Sequence, residues 1–542
     1  MGRPTSKRKS GLYAMKGPRG SVPQLSRNFD PAGTAHGAPG LETFVDAEAA
    51  PQSTFSIDVD TGSYSLMRRD LSEGNALPPP GRVRSEEMVN YFDYAYPEPT
   101  GDVPLSVTSE VGPCPWDTTH RLVHVGVQGR HIAVEKTPAR NLVSLIDVSG
   151  SMSAQLPLVI SSLGFLTEQL GAEDTISVVV YAGAAGTVLP PTAGSEKSTI
   201  LAALARLSAG GSTNGGEGIH LAYRLAEENF VEGGINRVMV ATDGDFNVGV
   251  TGHAALVDLI ETKRESGVFL SVLGYGGSRY RDGTMEQLAD KGNGNYAFID
   301  GPTEARKVLV EQAGSTLVTI AKDVKIQVEF DPALVARYRL VGYANRRLDN
   351  RDFADDTKDA GEIGAGHTVT ALYEVEPAGP TTEGTLMQLG LRYKDPDGDV
   401  SRLVRAAVRD TGAALEQTSD AFRFSAAVAG FAEVLGTPSA DVAADGLLAI
   451  RDLAAAARGD DPRCRRAEFV RLVEAASALR GTRLTPTALT CVADDVPQLL
   501  AHAHDSDDDT PFDWGRFVLN VLSLLPPLMA LPLFVVALRR KR

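Results

Sequence analysis

Residues 142–153 read Leu142-Val-Ser-Leu-Ile-Asp147-Val-Ser149-Gly-Ser151-Met-Ser153. A short apolar run closed by an acid and small residues predicts a buried parallel strand. Val159, Leu163, Leu166 and Leu170 follow at steps of four, three and four, which predicts a helix with one apolar face. Asp147, Ser149 and Ser151 are thereby placed on the loop leaving the carboxyl end of a central strand. Open α/β sheets bind ligands at that edge. One carboxylate and two hydroxyls form an all-oxygen donor set, which suits a hard cation such as Mg²⁺. A single loop cannot fill an octahedral shell, so further oxygens are needed from other strand ends.

Two stretches supply them. Gly210-Gly-Ser-Thr213-Asn-Gly-Gly precedes a helical pattern with apolar Ile219, Ala222, Leu225 and Ala226, and Arg237-Val-Met-Val-Ala-Thr242-Asp243-Gly-Asp245 is a second apolar strand ending in acid. Asp-x-Ser-x-Ser, a Thr in a glycine-rich loop and Thr-Asp-Gly, in that order, resemble the metal-ion-dependent adhesion site (MIDAS) of von Willebrand factor type A (VWA) domains. The resemblance implies that Ser149, Ser151 and Thr213 bind a divalent ion directly or nearly so, with Asp147 and Asp243 often acting through water. The ion would be Mg²⁺, or Mn²⁺ or Ca²⁺. Its open position would take an acidic side chain of a partner protein, and a shift of the helix near the carboxyl end of the domain would regulate it. The competing reading of these residues is capping hydroxyls and satisfied turn acids.

Working outward, strands are expected at 142–147, 174–181, 187–190, 236–242, 268–274 and 295–299, with helices between them. This alternation predicts a doubly wound, mostly parallel α/β sheet over 139–320. Leu105–Val111 and Arg121–Gln128 read as antiparallel strands that cannot join such a sheet. They are expected to pair with strands at 324–330, 368–375, 385–393 and 400–408. The VWA domain is then an insertion in a β-sandwich drawn from 53–138 and 321–410. Residues 411–504 read as helical and 505–516 as an acidic linker. Residues 1–52 read as a disordered tail without an apolar core of signal-peptide length. Residues 517–538 carry no charge and are long enough to cross the ~30 Å core of a bilayer. Arg539-Arg-Lys-Arg542 follows. This predicts a single-pass membrane protein with its soluble domains extracytoplasmic, a cytoplasm-facing tail anchor being the alternative.

The segments 53–61, 84–92 and 355–374 resemble a bacterial group of VWA proteins with an N-terminal von Willebrand-associated region and a C-terminal domain of unknown function. That resemblance spans about 53–500.

A net charge of −16 argues against nonspecific nucleic-acid binding. Cys114, Cys464 and Cys491 lie far apart, with no Cys-x-x-Cys, so neither a zinc site nor a disulfide framework is indicated; a Cys464–Cys491 pair stays open. Asp352, Asp355, Asp356, Asp359 and Glu362 form an acidic loop, read as solvated, with a second cation site as the sharper alternative. Asp58-Val-Asp60-Thr61 comes close to the first motif of haloacid-dehalogenase-type phosphatases, whose first Asp is a nucleophile and second a general acid. The expected function is therefore a membrane-tethered, metal-dependent protein-binding module, not an enzyme, with no small-molecule substrate. The alternatives are a hydrolase centred on Asp58 and Asp60, and a structural envelope protein stabilised by metal.

Overall fold

The sheet that carries Asp147 has six strands, in the order Tyr296–Phe298, Phe269–Gly274, Ile235–Thr242, Arg140–Asp147, Thr175–Tyr181 and Ala185–Ala193. The first five are parallel, and Ala185–Ala193 runs antiparallel at the edge. The chain order starts at Arg140–Asp147 in the middle and works to both sides, the doubly wound arrangement. The computed structural model describes residues 43–491 apart from 134–136, 212–214, 245–252, 278–279, 281, 313–317, 381, 397, 437–443 and 490.

The central strand is apolar throughout because both of its faces are covered. Leu142 and Ile146 face helices Leu156–Gln169 and Lys197–Leu204, where Val159, Leu163, Leu166, Ile200 and Leu204 complete one core. Val143 and Leu145 point the other way, into Ile219, Ala222, Ile260, Met285 and Leu288 from helices Gly215–Glu228, His253–Arg264 and Asp282–Lys291. The expected alternation of strands and helices is observed, with ends moved by a few residues. The last helix, Pro302–Arg306, continues as a π-helical turn over Lys307–Glu311.

Strands from before and after this domain pair with each other. Asp117–Gly129 lies antiparallel to Thr368–Pro377, with Gln128 opposite Thr368 and Arg121 opposite Val375. The full sheet runs Val45–Asp46, Val335–Val341, Thr368–Pro377, Asp117–Gly129 and Leu105–Cys114. A second sheet contains Gly361–Gly364, Thr319–Phe330, Gly384–Lys394 and Ser401–Asp410, with Gln52–Ser56 paired to Thr319–Phe330. Val123, Val125 and Val127 of the first sheet share a core with Ile326, Val328 and Leu391 of the second. Strand Val45–Asp46 falls within the stretch expected to be a disordered tail.

Helices Asp420–Gly436, Ala444–Ala456 and Arg465–Leu479 follow. They pack on the outside of the sandwich and on two N-terminal helices, Gly62–Ser72 and Ser85–Asn90. Tyr64, Tyr91, Phe92, Phe424, Phe431 and Phe469 fill the shared core. Cys464 and Cys491 are joined as a disulfide, with Cα atoms 5.7 Å apart, which resolves the pairing left open. After Leu479 the chain turns, and 482–489 has no regular structure; 492–504 of the expected helical region lie outside the described residues.

The expected single-pass membrane placement requires correction. No helix among the described residues is long and apolar enough to cross a membrane. The stretch 517–538 on which that expectation rested lies outside the described residues, as does the acidic linker.

Candidate functional site

The sheet order sets the location. Successive connections leave strands Arg140–Asp147 and Ile235–Thr242 in opposite directions, so a crevice opens between their carboxyl ends, the position at which doubly wound sheets bind ligands. Asp147 ends the first of these strands, and Asp243 directly follows the second.

Asp147 is fully buried and its carboxylate is held on both oxygens. Oδ1 accepts the Ser149 N–H at 2.8 Å, and Oδ2 accepts the Tyr181 hydroxyl at 3.2 Å. The loop therefore curls back over its own acid. That places the Ser149 hydroxyl 3.0 Å from the Ser151 hydroxyl. Ser149 is 2% exposed and Ser151 is exposed, so the pair runs from the interior to solvent. The glycine-rich loop is fastened alongside: Gly210 N–H donates to the Val148 carbonyl at 2.7 Å and Gly150 N–H to the Gly211 carbonyl at 3.2 Å. Gly211, at φ +91°, takes a conformation that L side chains rarely adopt. Thr213 lies outside the described residues, as do Asp245 and Asn247.

On the neighbouring strand, the Thr242 hydroxyl accepts the Gly244 N–H at 3.2 Å, and Gly244 turns the chain at φ +84°. Asp243 is half-buried. Burial holds the Asp147 carboxyl above its usual range against the hydrogen bonds of Ser149, and the Asp243 charge adds to the rise. Among the described residues, two neighbouring acids and two hydroxyls, with no nitrogen or sulfur ligand beside them, form a donor set that fits a hard divalent cation. Tyr181, which holds Asp147, was not singled out in the sequence; it ends the neighbouring strand, Thr175–Tyr181, and only the parallel pairing reveals its role.

Asp58 and Asp60 do not form a phosphatase site. The strand that precedes them, Gln52–Ser56, is antiparallel to Thr319–Phe330 in the sandwich, whereas the haloacid-dehalogenase motif needs the end of a parallel α/β strand. Both acids are 3% exposed. Asp58 Oδ1 accepts the Asp60 N–H at 3.0 Å, and Asp60 Oδ1 accepts the Tyr296 N–H at 2.8 Å. Burial, followed by the charge of Asp58, pushes Asp60 well above the usual carboxylate range. The acidic loop at 352–362 does not converge either. Asp355 accepts from Thr357, Asp356 from Ser401 and Asp359 from Arg264.

Comparison with known proteins follows the same divisions. A model of the von Willebrand factor type A domain matches residues 141–311, one described as von Willebrand factor matches 35–124, and one described as uncharacterized protein YfbK, C-terminal, matches 315–479. YfbK of Escherichia coli (strain K12) is 41% identical over 456 residues, covering 79% of this chain and 78% of that protein. The chain belongs to the YfbK family of VWA proteins. A second relative of this YfbK-type chain, protein sll0103 of Synechocystis sp. (strain ATCC 27184 / PCC 6803 / Kazusa), is 25% identical over 189 residues, 35% of this chain and 44% of that protein. Among solved structures, von Willebrand factor type A from Catenulispora acidiphila is 18% identical, covering 66% of this chain and 88% of its own, at a TM-score of 0.39. BatB from Bacteroides thetaiotaomicron is 25% identical, covering 32% and 97%, at 0.29. VWA domains commonly bind a divalent metal at a MIDAS, and the VWA domain of this YfbK-family chain places Asp147, Ser149 and Ser151 together with Asp243 nearby.

Proposed function

We propose that this chain is a protein-binding module whose affinity depends on a divalent cation held by Asp147, Ser149, Ser151, Thr213 and Asp243. Mg²⁺ is the favoured ion, with Mn²⁺ or Ca²⁺ as substitutes. The observation that carries this reading is the curled loop at the switch point. Asp147 is locked from two sides, and the two following serines set adjacent hydroxyls, Ser149 buried and Ser151 at the solvent side. The partner supplies an Asp or Glu carboxylate to the remaining coordination position. Such a contact is charge-assisted and strengthens as water leaves the interface. The same geometry favours binding over catalysis: the Ser149 hydroxyl is bonded to the Ser151 hydroxyl, and among the described residues no base is bonded to either serine as the proton acceptor of an activated nucleophile.

The test is Mg²⁺ and Mn²⁺ calorimetry on the chelator-stripped full chain beside an Asp147→Ala, Ser149→Ala double variant, followed by display of an acidic peptide library with and without chelator. Loss of one Mg²⁺ or Mn²⁺ site in the variant, together with retention of Asp- or Glu-bearing peptides only when metal is present, is the expected result. Metal that raises the melting temperature without retaining any carboxylate peptide would favour a structural role instead. A folded parent that loses no site on substitution would refute the assignment.

A further inference from the structure

A second polar centre lies away from the sheet edge, where the N-terminal segment, helix Asp282–Lys291 and the turn Ala344–Arg346 meet. Asp58, Glu87 and Glu286 are 3%, 0% and 2% exposed, and one carboxylate oxygen from each lies within 4.8 Å of the other two. Asp60, Glu86, Asp282 and Asp290 surround them. Two guanidinium groups reach in. Arg84 bonds Glu87, Asp282 at 2.5 Å and Glu286 at 3.5 Å, while Arg346 reaches Asp290 at 2.6 Å, Asp58 at 3.3 Å, Asp60 at 3.4 Å and Glu286 at 3.7 Å. Among the described residues six carboxyl groups thus share two guanidiniums, with Glu86 beside them. Carboxylates taken out of water need a proton or a counter-charge, and among the described residues the ion pairs of these acids reach two arginines, with Lys291 acting on Asp290.

The hydrogen bonding shows the same deficit. Asp58 Oδ2, Glu286 Oε2 and Asn345 Oδ1 are buried acceptors without a hydrogen-bond donor. Asn345 already gives its amide N–H to Glu286 Oε1 at 2.5 Å, so its unused oxygen belongs to a side chain tied to the cluster. Unused donors are also present, at Arg84 Nη2 and Arg346 Nε, but both guanidiniums are held by their other nitrogens on acids of the cluster. A buried acceptor left without a donor is destabilising, so a cluster that keeps several calls for a proton or a cation, and the convergence of Asp58, Glu87 and Glu286 on one point fits a cation.

We propose that Asp58, Glu87 and Glu286 hold a Ca²⁺ ion at this junction, a site separate from the adhesion-type site and independent of its assignment. The ligands are all oxygen, which excludes a preference for zinc or copper. Three carboxylates closing on one point in a water-poor interior suit Ca²⁺, which accepts mono- and bidentate carboxylates in flexible geometry; Mg²⁺ is reluctant to shed its waters. Oxygens already bonded to Ser63 N–H or Arg84 retain a second lone pair for the ion. The three ligands come from the N-terminal segment and from the VWA domain, and Arg346 of the sandwich touches two of them. Bound Ca²⁺ therefore clamps the VWA domain to its frame.

The test uses the full-length, chelator-stripped chain in the Asp147→Ala, Ser149→Ala background, so that the first site does not contribute. Calcium titration followed by calorimetry and by thermal melting is expected to show one Ca²⁺ per chain and a rise in melting temperature. Adding Glu286→Gln is expected to weaken Ca²⁺ at least tenfold and to abolish that rise. It should leave the melting temperature in chelator unchanged or higher, because it removes one crowded acid. Asp58→Asn provides a second variant with the same expectation should Glu286→Gln fail to fold. A background protein that melts cooperatively but binds no Ca²⁺ would overturn the site, as would folded Glu286→Gln and Asp58→Asn variants that bind Ca²⁺ like their parent. Binding of Mg²⁺ in preference to Ca²⁺ would overturn the choice of ion.

Discussion

Arg68 is the residue whose removal should cost most outside the two proposed metal sites. It sits on helix Gly62–Ser72, is 8% exposed, and forks onto Asp300 through Nε at 2.7 Å and Nη2 at 2.6 Å. The same guanidinium reaches Glu304 at 2.7 Å, Glu468 at 3.1 Å and the Tyr91 hydroxyl at 2.8 Å. One side chain thus joins the N-terminal region, the last helix of the VWA domain and the C-terminal bundle. Burial opposes ionisation of Glu304, but Lys307 and Arg68 pull its carboxyl down to about 2. With Arg68→Ala, Glu304 keeps Lys307 at 3.5 Å, whereas the bidentate partner of Asp300 is gone. Breaking a buried pair from one side costs about 3–5 kcal/mol, because a charge is left without compensation. At roughly 2–4 °C per kcal/mol for a unit of 150–250 residues, the transition containing the VWA domain should fall by about 6–20 °C. Calorimetry reads this directly, and hydrogen exchange should rise in 300–311 and 465–479. Arg68→Lys should recover only part of the loss, since an ammonium cannot make the fork. The neutral triple variant Arg68→Met, Asp300→Asn, Glu304→Gln should recover most of it. An Arg68→Ala protein melting within about 2 °C of the parent would refute the reasoning, since the cost of the uncompensated buried charge would be missing.

Three other expectations follow from particular contacts. A Cβ at Gly218 would sit 2.9 Å from Tyr181 Cβ and 3.1 Å from Leu145 Cδ1, so Gly218→Ala should cost about 1–3 kcal/mol in urea unfolding; because Tyr181 holds Asp147, it should also weaken Mg²⁺ in calorimetry. The Cys464–Cys491 bridge spans 27 residues, for which loop-closure entropy gives about 3.5 kcal/mol; Cys491→Ser should speed hydrogen exchange in Arg465–Leu479, and thiol titration of the denatured, unreduced parent should find Cys114 alone. Burial raises the Asp410 carboxyl, but the Arg121 fork, at 2.7 and 2.9 Å, and Thr382 hold it below its usual value. Its stabilisation is therefore complete above the unfolded pKa of about 4 and is lost as pH falls through the lower folded value. Asp410→Asn should lower the melting temperature at pH 7 and remove part of the parent's acid-induced loss, read by melting curves from pH 6 to 2.

What could be read from the sequence was local or repetitive. The strand ending in Asp147 announces itself because its apolar run is buried on both faces, and the helices show their apolar stripes. The crossing of strands over the insertion was legible because antiparallel alternation cannot continue into a parallel sheet. Strand Val335–Val341 was passed over: Arg337 and Arg339 interrupt its apolar content, yet Arg339 is 6% exposed and paired with Glu374 and Glu433. Ser85, with Glu86 and Glu87 after it, has the residue type of a helix cap, yet it is the first helical residue of Ser85–Asn90, and Arg84 before it makes no side-chain cap. Asp58 and Asp60 were legible as a pair and misleading as chemistry. Their setting is fixed by Glu286 and Arg346, more than 200 residues away, and no nearby residue signals it.

The pairing of Asp117–Gly129 with Thr368–Pro377 also sets a timetable for synthesis. Gln128 meets Thr368, about 240 residues later in the chain. At the usual 5–20 residues per second, roughly 12–48 s pass between the two. During that interval the hairpin of Leu105–Cys114 and Asp117–Gly129 leaves the ribosome with one edge unpaired, the kind of edge that recruits foreign strands. The VWA domain emerges whole within the same window and can fold before its frame closes. A nascent chain of this design carries that open edge until its partner strand arrives.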